Sequence, residues 1–252
     1  MQTVRNFIMN PRFRNALSVV VLTVLWVSQA SPVAARPAAP RKLLPVDEAK
    51  KDASFLRFRA QLQAAIARHD VAALQKSIDP DIRHSFGADG GRQSFLARFG
   101  LAGAAPVSSQ PGQPGQPSQP SQLWAELGRV LSLGGAMISP NEFCAPYVFA
   151  RFPEDLDSFA HVVVTAVAAP VRAQPAEDAP VFETLRYDIV RRDERGGVPA
   201  ATGTRPEWVR VLTPTGKSGY IHDRDVRSPI DYRACFHKEA GQWLLTTFVA
   251  GD

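Results

Sequence analysis

Apolar positions fall first at helical spacing and later, beyond residue 137, in alternation. After Asp52, the residues Phe55, Phe58, Leu62, Ala65 and Ile66 recur on one face of a helix, and Arg57, Arg59, Gln61, Gln63 and Arg68 occupy the other. Asp70 suits the N-cap of a second short helix over 71–78, because its carboxylate can accept from the open amides of a first turn. Asp79-Pro80-Asp81 is expected to stop that helix, since the residue before a proline avoids the helical region. A strand over 82–86, a turn through Gly87, Gly90 and Gly91, and a periodic stretch over 94–99 follow. Leu123, Trp124, Leu127, Val130 and Leu131 then form an amphipathic helix ending at Gly134-Gly135.

Segments 143–152 and 161–167 are rich in β-branched and aromatic residues. Turn signals then recur at Pro170, Pro175, Gly196-Gly197, Gly216, Pro229 and Gly241. Short strands between closely spaced turns indicate a sandwich or barrel. Segments 231–237 and 242–249 read as a terminal hairpin across Ala240-Gly241.

The N-terminal segment changes the reading of the compartment. Arg5, Arg12 and Arg14 precede a twelve-residue apolar run, Ala16 to Val27, and a small-residue cleavage pattern follows at either Val33-Ala34-Ala35 or Ser28-Gln29-Ala30. A membrane-spanning helix needs about twenty apolar residues, so residues 1–35 read as a signal peptide and the product as periplasmic or secreted. No stable membrane span is expected after cleavage. Removing that segment takes away three arginines and no acid, which lowers the formal net charge from +5 to +2. The remaining chain has no basic cluster interleaved with aromatics, so nucleic acid is excluded as a partner. With 252 residues, 45% hydrophobic and 21% charged, the chain has room for one or two domains with a real core and is neither disordered nor fibrous.

Two cysteines, Cys144 and Cys235, lie in strand-like runs. In an oxidising compartment they can pair, and each can equally be a small buried hydrophobe; the sequence leaves both readings open.

Residues 167–227 resemble a bacterial SH3-type domain. The resemblance is carried by Val171-Arg172-Ala173-Gln174-Pro175, by Ala179 to Leu185 (APVFETL), by Trp208-Val209-Arg210-Val211 and by Gly216-Lys217-Ser218-Gly219-Tyr220-Ile221. It implies a small closed barrel around Val171, Leu185, Val209 and Ile221. The chain departs from the pattern in Asp188, where glycine is common, and in the long loop 192–207. More weakly, the run 64–99 and the terminal strands are similar to ketosteroid-isomerase-like cone folds.

The expected fold class is therefore α+β: a mainly helical N-terminal half, a C-terminal small SH3-like β-barrel and a terminal β-hairpin. The expected organisation is a signal peptide (1–35), a Pro-rich leader (36–50) and a helical α+β domain (51–160) with a low-complexity loop at 103–122. The barrel (161–228) and the hairpin (229–252) complete it. The resemblance implies a non-catalytic module that binds peptidoglycan, a peptide or an envelope protein. Tyr187, Trp208 and Tyr220 are its candidate ligand-binding aromatics. The competing reading is a small-molecule or enzymatic pocket in the cone-like portion, with Asp81, His84 and Asp89 as its polar groups. No His-Glu-x-x-His run and no Gly-x-Ser-x-Gly elbow is present, so no catalytic residue, metal ligand or cofactor is expected.

Overall fold

The computed structural model describes residues 41–102, 120–193 and 207–251. The signal peptide, most of the leader's first residues, most of the Pro-rich loop and much of the loop before Trp208 lie outside the described residues. Among those described, no helix is long and apolar enough to cross a membrane.

Helix α1 (Ala53–Ala67) starts where expected, with the Asp52 carboxylate accepting from the Ser54 and Phe55 amides. Asp70 caps α2 (Val71–Ser77) through the Ala73 amide. Next in the chain are β1 (Ile78–Arg83), α3 (Arg92–Arg98), α4 (Pro120–Ser132), β2 (Ala136–Ser139), β3 (Glu142–Ala145) and α5 (Tyr147–Ala150). The strands β4 (His161–Val164), β5 (Ala169–Arg172), β6 (Val181–Leu185), β7 (Ile189–Arg192), β8 (Trp208–Leu212), β9 (Ser218–His222) and β10 (Val226–Arg227) follow. The chain closes with β11 (Arg233–Glu239) and β12 (Gln242–Val249).

Five strands form one sheet in the order β1-β12-β11-β3-β2, with β1 parallel to β12 and the other pairs antiparallel. The terminal hairpin thus sits at the centre of a sheet whose other strands all come from before residue 146. Helices α1 to α4 supply Phe55, Leu62, Leu74, Phe95, Phe99, Leu123, Trp124 and Leu127 to one apolar core, against Phe143, Phe236, Trp243, Leu245 and Phe248 of the sheet. Phe55 is central: its ring centroid lies 4.2 Å from Phe143, 4.9 Å from Trp243 and 5.5 Å from Phe236. The Trp243 indole N–H keeps a partner by donating to Ser54 Oγ at 3.0 Å.

The other seven strands form a second sheet in the order β10-β4-β7-β8-β9-β5-β6. Val171, Leu185, Val209 and Ile221 share its apolar core with Val162, Val164, Val190, Val211 and Val226. Gly219 is needed at a crowded point, because a Cβ there would lie 2.6 Å from Phe182 Cζ and from Val171 Cγ1.

Two parts of the expected fold class are corrected. The domain expected over 51–160 is not a mainly helical unit: it supplies β1, β2 and β3 to the five-stranded sheet. Helix α2 ends at Ser77, just before Asp79-Pro80-Asp81 as expected, but that run then lies inside β1, an edge strand, where proline forfeits no ladder hydrogen bond on its open side. The second half does not close into a barrel. Its strand order runs between two edges, β10 and β6, and β6 leaves Val181, Phe182 and Thr184 exposed. The strands β10 and β4 extend the sheet at one end.

The segment expected as a strand over 143–152 turns after Ala145 into α5, whose Tyr147 and Val148 join Val163 and Ile189 in a small third core. Two ion pairs tie α4 to the second sheet. Arg129 donates to Asp223 at 2.9 Å, and Arg227 donates to Glu126 at 3.1 Å.

Candidate functional site

Strand alternation sorts β8 and β9 into two faces. Val209, Val211 and Ile221 turn into the core. Trp208, Arg210, Tyr220 and His222 stand on the opposite face, with register pairs Trp208–His222 and Arg210–Tyr220. The same register continues onto β5, where Arg172 is opposite Tyr220. A single row across three neighbouring strands therefore reads Arg210, Tyr220, Arg172. The Tyr220 ring is half-buried, and the Arg210 guanidinium lies 5.9 Å from its centroid.

Acidic groups fix the cations of this row. Asp193, buried, holds Arg210 at 3.3 Å and also accepts from the Ser218 hydroxyl. Glu177 meets Arg172 at 3.5 Å and Arg224 at 2.7 Å. His222 stands beside Trp208 with ring centroids 5.1 Å apart, and its Nδ1 accepts from the Arg224 amide at 3.1 Å. Its Nε2 lies 3.6 Å from Glu207 and 3.9 Å from Glu177. The face thus offers one tyrosine between two arginines in register, with the buried Trp208 on the same side of the sheet. Such an arrangement stacks on a ring or a peptide plane and hydrogen-bonds a carboxylate.

Tyr187 lies elsewhere. It sits in the turn between β6 and β7 at φ 57°, a conformation uncommon for a residue with a side chain. The buried Asp188 carboxylate holds that turn by accepting from the Arg186 amide at 2.8 Å and from Lys42 at 2.7 Å. The ring is met by the Arg186 guanidinium at 5.5 Å. Its aromatic neighbour is Tyr147, whose buried phenol has no hydrogen-bond partner among the described residues; burial and then Tyr187 push it up to about 12. The three candidate aromatics do not converge: Trp208 and Tyr220 share a face, and Tyr187 belongs to a separate turn.

Of the alternative set, Asp81 is exposed on the edge strand β1. Asp89 lies in the glycine turn, accepts from Ser85 Oγ at 3.0 Å, and is held below the ordinary carboxylate range by its backbone and Ser85 hydrogen bonds. His84 differs from both. Only 3% of its surface is exposed, and neither ring nitrogen has a hydrogen-bond partner among the described residues. Its ring stands edge-on to Phe95 at 5.9 Å, and burial, reinforced by Arg98, lowers its pKa from the usual 6.5. Alternation after the buried Ile82 is the sequence signal that turns it inward.

Cys144 and Cys235 are joined by a disulfide and lie directly opposite one another on β3 and β11. The bond closes a loop of 91 residues that carries the whole second sheet.

Comparison with protein-family models, with curated proteins and with solved structures finds no match to this chain.

Proposed function

We propose that the chain is an exported envelope protein that works by binding rather than by chemistry, and that its recognition face is the Arg210–Tyr220–Arg172 row. The observation that carries this reading is the half-exposed tyrosine with an arginine in register on each side, Arg210 lying against its ring. Carboxylate-bearing peptides and the amino sugars of peptidoglycan match that chemistry, with a plane to stack and an acid to pair. The signal-like first 35 residues support export, and a disulfide suits an oxidising compartment.

Sedimentation with purified sacculi tests it. The wild-type chain is expected in the pellet and Tyr220→Ala in the supernatant. Tyr187→Ala, on a separate turn, is expected to pellet like the wild type. A wild-type chain that stays in solution, or a Tyr220→Ala chain that pellets fully, defeats the reading.

One observation favours a second reading, a small-molecule site at the corner of β1 and α3: the buried His84 offers a donor and an acceptor that nothing among the described residues engages. An unpaired buried polar group costs about 1–3 kcal/mol, which a ligand would recover. A thermal-shift screen of small metabolites, repeated on His84→Ala, checks this. A melting temperature unmoved by every compound counts against it.

A further inference from the structure

We propose that Cys144, Cys235, Glu142 and His237 form, in the reduced chain, a site for a thiophilic divalent cation such as zinc, and that the disulfide and the metal-bound pair are alternative states of this one site.

The register between β3 and β11 is unbroken. It pairs Cys144 with Cys235 and Glu142 with His237. Phe143 and Phe236 lie between them and point into the helix-covered core, so the four polar residues share the opposite face. The Glu142 carboxylate and both sulfurs have ligand atoms within 4.8 Å of one another, and Cys144 Sγ lies 3.9 Å from Glu142 Oε1. Two thiolates and the carboxylate supply three ligands of a tetrahedral zinc set, and His237, in register with Glu142 but outside that 4.8 Å group, supplies the fourth once its exposed side chain turns inward. Zinc–sulfur bonds of about 2.3 Å place the two sulfurs roughly 3.8 Å apart. Side-chain rotation supplies that separation when the sulfur–sulfur bond is broken.

Exposure is graded across the site. The cysteines are buried, Glu142 is half-buried and His237 is exposed, so an ion can enter from the His237 side. In sequence the signal is two short spacings, Glu142-x-Cys144 and Cys235-x-His237, which become one cluster only when the strands pair.

The interconversion balances. A dithiol reductant gives two electrons and two protons to the disulfide, becomes a disulfide itself, and leaves two thiols; binding Zn²⁺ then releases both thiol protons. In the reverse direction a disulfide oxidant takes two electrons from the two metal-bound thiolates. Two protons from solvent convert the oxidant to two thiols, and Zn²⁺ leaves.

The full chain, reduced anaerobically with a water-soluble phosphine, is titrated with Co²⁺ and then with Zn²⁺. A thiolate-to-cobalt charge-transfer band saturating at one equivalent and bleached by Zn²⁺ is expected, and no band in the oxidised chain. Glu142→Gln and His237→Ala are expected to weaken Co²⁺ at least about tenfold while the disulfide still forms in air. Circular dichroism on the same samples checks that the reduced chain keeps its strands. A missing band, a band of equal affinity in both variants, or a band arising only from an unfolded reduced chain overturns the proposal.

Discussion

Arg227 on β10 is completely buried and donates to Glu126 on α4 at 3.1 Å, across 101 positions of sequence. The same guanidinium donates to the Tyr232 carbonyl at 2.8 Å and lies 3.6 Å from Asp231. Burying a guanidinium costs several kcal/mol, so the carboxylates around it decide whether the helix stays joined to the second sheet.

Glu126→Ala takes one carboxylate from that buried charge and is expected to cost about 3 kcal/mol in urea unfolding. The double variant Glu126→Leu with Arg227→Met removes both charges and is expected to recover most of that loss. A double variant no more stable than Glu126→Ala would show that the pair contributes through something other than charge burial.

His84 sets the response to mild acid. Burial lowers its pKa below 6.5, so the folded chain resists a proton that the unfolded chain accepts. Stability from this residue is complete above the ordinary histidine range and falls as pH drops through 6.5 toward the depressed folded value. Asp52, held far below the ordinary carboxylate value of 3.8 by Ser54, the Phe55 amide and Lys238, gives way only in stronger acid. The stability of His84→Phe is therefore expected to vary less than wild type between about pH 7 and pH 5. Parallel slopes for the two chains would contradict this.

These long-range pairs also mark where the sequence stops being readable. Helix α1 was legible because Phe55, Phe58, Leu62 and Ile66 repeat at helical spacing, and Asp52 announces its start. The four residues Val171, Leu185, Val209 and Ile221, expected from the resemblance to centre a closed barrel, do share one core, but in an open sheet. The strand at Asp79-Pro80-Asp81 was not legible, because a proline's tolerance depends on being at an edge, which is a property of the assembled sheet. Closure was misjudged for a related reason: whether β6 meets another strand depends on partners distant in sequence. Tyr187 and Tyr220 look alike in the sequence, yet one occupies a turn and the other a sheet row.

The disulfide links the two ends of the loop that carries the second sheet, so its removal acts chiefly on the unfolded chain. For a closed loop of 91 residues the chain-entropy account gives about 4–5 kcal/mol. Cys144→Ala with Cys235→Ala is expected to lower the unfolding free energy by an amount within the usual 2–5 kcal/mol for a native bridge, and the urea midpoint with it. A midpoint equal to that of the wild type would mean that the reduced unfolded chain is already held compact.

Trp208 and Tyr220 share a face but differ in burial, and that difference separates folding from recognition. Trp208 is buried beside His222, so Trp208→Ala leaves a cavity and is expected to cost about 3–5 kcal/mol. Tyr220 is half-buried beside the Arg210 guanidinium, so Tyr220→Ala is expected to cost less than half as much. Urea unfolding of the two variants, run beside the sacculus assay, reads both effects at once. Loss of binding in Tyr220→Ala with stability nearly intact places recognition on the ring itself. Equal destabilisation in the two variants would make Tyr220 a packing residue and remove the centre from the proposed face.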